Sequence, residues 1–273
     1  MNCYYINLFE AKNRKFNVEE NFIKFRKKNF KLLRFDAVNI KYIQENNILG
    51  KLKPKEKACF LSHKYLIKQN INLNESLFIL EDDANFGRST CEVIENFLKL
   101  KEKFDWDILF TDVIVTQPST MVELIKLRKV LKKNNQTEIL DLNNFEFAGA
   151  TGYIINQKSI NKIYNLLDSK VTLDEPYDLY LRRLILEKKI KGYVTFPFIT
   201  SLSSESNISQ IQEINMGNTD LVWNTFRRMI WIDSNIEESI ETLAKINNDI
   251  CDEESKQFGI IISACISNKF NYK

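Results

Sequence analysis

The chain has 273 residues, 44% of them hydrophobic and 27% charged, which is ordinary globular composition with enough apolar material for one large or two small domains. A formal net charge of +3 gives no overall basic field of the kind that nucleic acid needs, so no such partner is expected. The five cysteines, Cys3, Cys59, Cys91, Cys251 and Cys265, are odd in number and form no C-x-x-C pair, which argues against a disulfide framework or a zinc site and fits a reducing cytoplasm.

Residues 3–8 read as a buried strand, followed by a charged helical stretch to residue 28 and a second strand at 30–35. The apolar run at the start is too short for a signal peptide and lacks a basic leader. No stretch reaches the roughly 20 apolar residues of a membrane span, so any membrane contact is expected to be peripheral. Residues 38–53 have no clear period and contain Gly50, which reads as a loop. Pro54 suits the first turn of a helix running to about residue 70.

A second strand–helix–strand unit follows, with a strand at 77–80, a turn at 81–89, a helix at 92–101 and a strand at 106–110. Residues 122–133 form a basic helix, 147–155 a strand interrupted by Gly149 and Gly152, 159–167 and 177–186 two helices, and 193–196 a late strand. The alternation predicts an α/β domain over 1–210 with a mostly parallel sheet flanked by helices. Beyond it, 221–231, 236–246 and 253–265 read as helices alone, a C-terminal appendage over 211–273. Its stripe Leu221, Val222, Phe226, Met229 and Ile230 reads as core or as a homodimer contact.

Glu81-Asp82-Asp83 places three carboxylates at the end of a buried strand, which is where open α/β sheets bind ligands. Like charges in a row need compensation. A divalent cation with diphosphate oxygens supplies it, since Mg²⁺ or Mn²⁺ takes one or two carboxylates plus phosphate oxygens. Taken alone, the same residues equally make an acidic turn capping the next helix. Neither G-x-x-x-x-G-K-[ST] nor G-x-G-x-x-G occurs, so a P-loop or dinucleotide-binding enzyme is not expected.

Glu56-Lys57-Ala58-Cys59-Phe60-Leu61-Ser62-His63, followed about twenty residues later by Phe78-Ile79-Leu80-Glu81-Asp82-Asp83, resembles glycosyltransferase family 25, which includes bacterial lipooligosaccharide β-galactosyltransferases. Ile6-Asn7-Leu8 with Arg14, Phe35-Asp36-Ala37-Val38, Ala148 to Ile155, and Pro176-Tyr177-Asp178 match in the same order, over roughly residues 2–210. Lys51, Lys53, Lys55 and Lys57 depart from the compact, Gly-containing loop that family members often carry. The resemblance implies a GT-A fold, a cytoplasmic enzyme, a UDP-sugar donor, Mn²⁺ or Mg²⁺, and inversion at the anomeric carbon. UDP-galactose and a lipooligosaccharide or lipopolysaccharide core sugar are the expected substrates. UDP-glucose, a UDP-N-acetylhexosamine or a non-catalytic partner role are the alternatives.

On that resemblance, Asp83 is the expected principal metal ligand with Glu81, and Glu81 and Asp82 contribute either to the metal through water or to the ribose. Asp178, with Glu175 nearby, is the expected catalytic base, although an acid there also favours a helix N-terminus. Asn7, Leu8, Arg14, Asp36, Ala37, Ser62, His63, Gly149 and Gly152 are expected around the donor. Asp36 faces uridine in this scheme and Arg14 the diphosphate, unless Arg14 is a solvated charge. His63, the lone histidine, serves either the donor or a structural hydrogen bond to the acidic turn. Gly149 and Gly152 serve either close backbone approach or a strand bulge. Cys59 is expected in the core. The four lysines, together with Lys126, Arg128, Lys129, Lys132 and Lys133, make either a solvated face or a surface for phosphorylated lipid or the inner membrane.

Overall fold

The structure is a computed structural model, and it describes residues 1–100, 104–144, 146–203, 218–234 and 260. Its centre is a seven-stranded sheet in the order β2 (Lys31–Asp36), β1 (Asn2–Asn7), β3 (Leu77–Glu81), β9 (Gly152–Ile155), β5 (Ile108–Phe110), β10 (Gly192–Phe196) and β7 (Glu138–Asp141). β2, β1, β3, β5 and β10 run the same way, whereas β9 and β7 are antiparallel to their neighbours. The fold is therefore α/β with a mostly parallel sheet.

Both faces of that sheet are covered, and the twofold alternation of strand side chains divides them. Leu77 and Ile79 of β3 enter one apolar cluster with residues of α3 (Pro54–Gln69), α6 (Ile160–Asp168) and α7 (Tyr177–Leu186), while Phe78 and Leu80 enter the other with α1 (Lys12–Phe25) and α4 (Thr90–Leu100). Four consecutive buried residues thus make β3 a continuous apolar run, as expected of a strand covered on both sides.

Several short elements differ from the sequence expectation. The segment expected as a loop contains α2 (Ile40–Glu45), whose first turn is closed by the Asn39 side chain accepting the Tyr42 N–H at 2.9 Å. Six residues are too few to show a helical period. The turn after the acids contains β4 (Ala84–Phe86), which pairs with β11 (Thr200–Leu202). The strand expected over 147–155 is two: β8 (Phe147–Ala148) pairs with β6 (Ile114–Val115), and β9 turns into the middle of the main sheet. Gly152 allows this, because a Cβ there would lie 2.3 Å from Thr111 Oγ1.

α5 (Pro118–Asn134) spans the basic helix, but Arg128 is buried and donates to Trp231 O at 3.1 Å and Ser234 Oγ at 2.6 Å, so it leaves the basic face. α8 (Asn218–Met229) packs Phe226 and Met229, with the adjacent Ile230, into the main core, which makes that part of the stripe core and not a dimer surface. Phe198 ties it down by donating its N–H to Ile230 O at 3.1 Å and accepting from Ile232 at 2.8 Å. The side chains of Leu221 and Val222 and, apart from residue 260, the helices expected over 236–246 and 253–265 lie outside the described residues. Among the described residues no helix is long and apolar enough to cross a membrane.

Candidate functional site

The carboxyl ends of β1, β3 and β5 meet the loop entering β9 at one edge of the sheet. Glu81 donates its N–H to Thr151 O at 2.7 Å, and Thr111 donates to Gly152 O at 2.9 Å, which stitches the ends of β3 and β5 to the reversed strand. Above this edge lies a cavity of about 530 Å³, a size that suits a small-molecule ligand.

All three acids line the cavity, but they are not equivalent. Asp82 is engaged at both oxygens: Arg14 donates to Oδ1 at 2.7 Å and Asn7 Nδ2 to Oδ2 at 2.7 Å. Both oxygens are thus held by protein groups, although Asp82 still lines the cavity. Arg14 is buried, not solvated, and also reaches Asp83 Oδ2 at 3.3 Å. The two acids outweigh the burial that disfavours its charge and raise its pKa. Asp83 Oδ1 is buried with no hydrogen-bond partner among the described residues. Burial, reinforced by the charge of Glu81, pushes the Asp83 pKa up to about 7.

A cavity-lining carboxylate with an orphaned, buried oxygen fits a divalent cation, which would satisfy that atom and the excess charge together. Glu81 is better balanced, its pKa lowered because His63 and nearby guanidinium groups outweigh burial. His63 Nε2 lies 3.5 Å from Glu81 Oε1, and Nδ1 is 2.8 Å from Tyr153 Oη. The imidazole stacks on Tyr177 with centroids 4.2 Å apart and planes 7° from parallel. Tyr153 and Tyr177, a pair that the sequence did not single out, thereby fix the ring's orientation.

Asp178 lines the same cavity from the first turn of α7 and accepts the Gly149 N–H at 2.7 Å. Burial raises its pKa against that hydrogen bond. Gly149 has φ +81°, a left-handed conformation that turns its N–H onto the carboxylate and is open to glycine at little strain. Leu8, Ala37 and Ser62 also line the cavity. Ser62 Oγ accepts the Val38 N–H at 2.8 Å, holding the β2–α2 connection against α3. Cys59, expected in the core, is only partly buried and faces the cavity.

Four expected site residues stand outside the cavity wall. Asn7 is buried behind it, orienting Asp82 and accepting from Arg34 Nε at 2.9 Å. The Asp36 carboxylate is exposed and pairs with Arg34 at 2.5 Å. Glu175 pairs with Arg183 at 2.9 Å. Gly152 belongs to the sheet interior. The structure adds Asn224 and Arg227 of α8 to the wall, and Arg227 reaches the fully buried Asp112 through Nε at 2.9 Å and Nη2 at 2.7 Å. No local pattern links residues 115 positions apart.

The chain is 28% identical over 172 residues to the lipooligosaccharide biosynthesis protein lic2B of Haemophilus influenzae, covering 59% of this chain and 61% of that one. It is 32% identical over 108 residues to the lacto-N-neotetraose biosynthesis glycosyltransferase LgtE of Neisseria meningitidis serogroup B, covering 38% and 36% respectively. The matches thus span less than two thirds of either relative. Mouse xyloside xylosyltransferase 1 in its apo form aligns at TM-score 0.32 and 12% identity over 70% of this chain and 63% of its own, too loose a likeness to bear on the chemistry. The family model for glycosyltransferase family 25 (LPS biosynthesis protein) matches residues 1–181, which carry the acidic turn, the α3 motif and Asp178, and this chain belongs to that family.

Proposed function

We propose that this chain is an inverting, metal-dependent hexosyltransferase with a GT-A-type donor site, transferring galactose from UDP-galactose to a core sugar of lipooligosaccharide. The observation that carries the reading is Asp83, which lines the same cavity as Asp178 and whose buried Oδ1 has no hydrogen-bond partner among the described residues. Relatives whose names place them in lipooligosaccharide and lacto-N-neotetraose biosynthesis support the acceptor class.

Asp83 would hold Mn²⁺ or Mg²⁺, which supplies Lewis-acid stabilisation of the departing diphosphate when bound. Arg14 pairs with Asp82 at 2.7 Å and with Asp83 Oδ2 at 3.3 Å, which leaves Asp83 Oδ1 for the ion. Asp178 takes the proton of the acceptor hydroxyl as that oxygen bonds the anomeric carbon and the bond to UDP breaks, with UDP leaving with the electron pair. Gly149 holds one carboxylate oxygen of Asp178 and so limits its rotation. The exposed Lys132 and Lys133 at the end of α5 would meet a phosphorylated acceptor or the inner membrane from the cytoplasmic side.

UDP release from UDP-galactose with lipooligosaccharide acceptor and Mn²⁺ tests the reading. Asp83→Ala should lower turnover by about 10²-fold or more, the scale of losing a group that acts on transition-state charge; unchanged turnover sinks the assignment of Asp83 to the metal, and no UDP release from the unaltered chain sinks the transferase reading. Thermal-shift measurements across UDP-galactose, UDP-glucose and UDP-N-acetylhexosamines test the donor, and a larger shift with another sugar replaces galactose.

A further inference from the structure

We propose that Cys59, His63 and Glu81 form a binding site for a thiophilic divalent cation, Zn²⁺ foremost, in the wall of the cavity and separate from Asp83. The Cys59 thiol sulfur, a ring nitrogen of His63 and a carboxylate oxygen of Glu81 all lie within 4.8 Å of one another. The 3.5 Å between His63 Nε2 and Glu81 Oε1 is close to the edge of a tetrahedron whose corners sit about 2.0–2.2 Å from a central zinc. Cys59 and His63 are four residues apart on α3, so they share one helix face, and Glu81 approaches from the end of β3.

The second layer is also in place. Tyr153 Oη holds His63 Nδ1 at 2.8 Å and is itself held by Tyr177 Oη at 2.8 Å, an arrangement that orients the ring with Nε2 toward Glu81. Three protein ligands with the cavity at the fourth position make an open site. The donor types separate the two metals: thiolate and imidazole select a softer ion, whereas the oxygens of Asp83 suit Mn²⁺ or Mg²⁺. On binding, the Cys59 sulfur gives its electron pair to the ion and its proton leaves to solvent. The proposal rests on the side-chain cluster and does not require the transfer reaction proposed above.

Titration of the full chain with Co²⁺ as a spectroscopic probe tests it. The expected result is one tightly bound Co²⁺ with thiolate-to-cobalt charge-transfer absorption, displaced by Zn²⁺. Cys59→Ser and His63→Gln should each weaken binding by at least about 100-fold, and Tyr153→Phe by about 10–100-fold. Asp83→Asn should retain the absorption. His63→Gln leaves every thiol in place, so it decides the matter if Cys59→Ser does not fold by circular dichroism. Absence of charge-transfer absorption in the unaltered chain, its persistence in folded Cys59→Ser or His63→Gln, or its loss in folded Asp83→Asn overturns the proposal. None of these readouts uses turnover, so an Asp83→Ala enzyme of unchanged activity would remove Asp83 from the proposed donor-metal site and leave this site standing, whereas absence of UDP release from the unaltered chain would remove the transferase reading and leave it standing too.

Discussion

Two arginine–aspartate pairs flank the acidic turn, and they are built differently. Arg14 of α1 divides its charge between Asp82 and Asp83, with side chains 10%, 7% and 13% exposed. Arg227 of α8 directs two nitrogens at Asp112, with side chains 2% and 0% exposed, and Asp112 Oδ1 has no hydrogen-bond partner among the described residues. The first pair borders the cavity and shares its cation with a third group, so a ligand can redistribute it. The second is a sealed contact between the end of β5 and α8, with burial holding the Asp112 pKa up even beside the guanidinium. The first pair shares its cation among the acids of the site, and the second, although Arg227 also lines the cavity, directs two nitrogens at a single buried carboxylate.

Breaking the sealed pair should have the largest effect. Arg227→Met leaves the Asp112 carboxylate buried without its cation and should cost about 3–5 kcal/mol in urea unfolding, while adding Asp112→Asn should recover much of that loss. A single-variant loss under about 1 kcal/mol would show that the contact between β5 and α8 is not held by charge. Arg14→Gln comes next, at about 2–3 kcal/mol, because Asn7 still satisfies one oxygen of Asp82 and the cavity lets water reach the rest. A loss equal to that of Arg227→Met would erase the distinction between the two pairs.

The same contrast marks what was legible in the sequence. Arg14, the acids and Asp178 sit in short matching motifs on or beside regular elements, and β3 announces itself as an unbroken apolar run ending in charge. Arg227 and Asp112 are 115 residues apart, and only the docking of α8 joins them. β9 looked like an ordinary strand, yet its reversed direction is set by pairing with β3 and β5 on both sides, which no local period encodes. Gly152 illustrates the limit: the sequence left it between close approach to the donor and a place inside a strand, and the missing Cβ makes room for Thr111 within the sheet. Cys59 was placed in the core on composition, but its turn of α3 faces the cavity.

Asp83→Asn should act in the opposite direction to the arginine variants. With its pKa raised to about 7, the folded chain holds a proton that the unfolded chain has released by pH 5, so each rise in pH through that window lowers stability. The substitution removes this loss. In metal-free buffer at pH 8 it should stabilise the protein by on the order of 2 kcal/mol, or about 4–8 °C in Tm, and the gain should vanish near pH 4. A pH-independent effect would place the orphaned oxygen in water.

Asp36→Ala should do least. Its carboxylate is 76% exposed and meets Arg34 at the rim, where solvent screens the attraction and two mobile side chains lose freedom to hold it. A stability change within about 0.5 kcal/mol is expected, since Arg34 retains its hydrogen bonds to the Asn7 side chain and carbonyl at 2.9 and 3.2 Å. If thermal unfolding instead shows a loss near that of Arg14→Gln, Arg34 must depend on Asp36 to hold Asn7 against Asp82. The pairing at Asp82 would then extend through Asn7 and Arg34 to the open edge of the sheet.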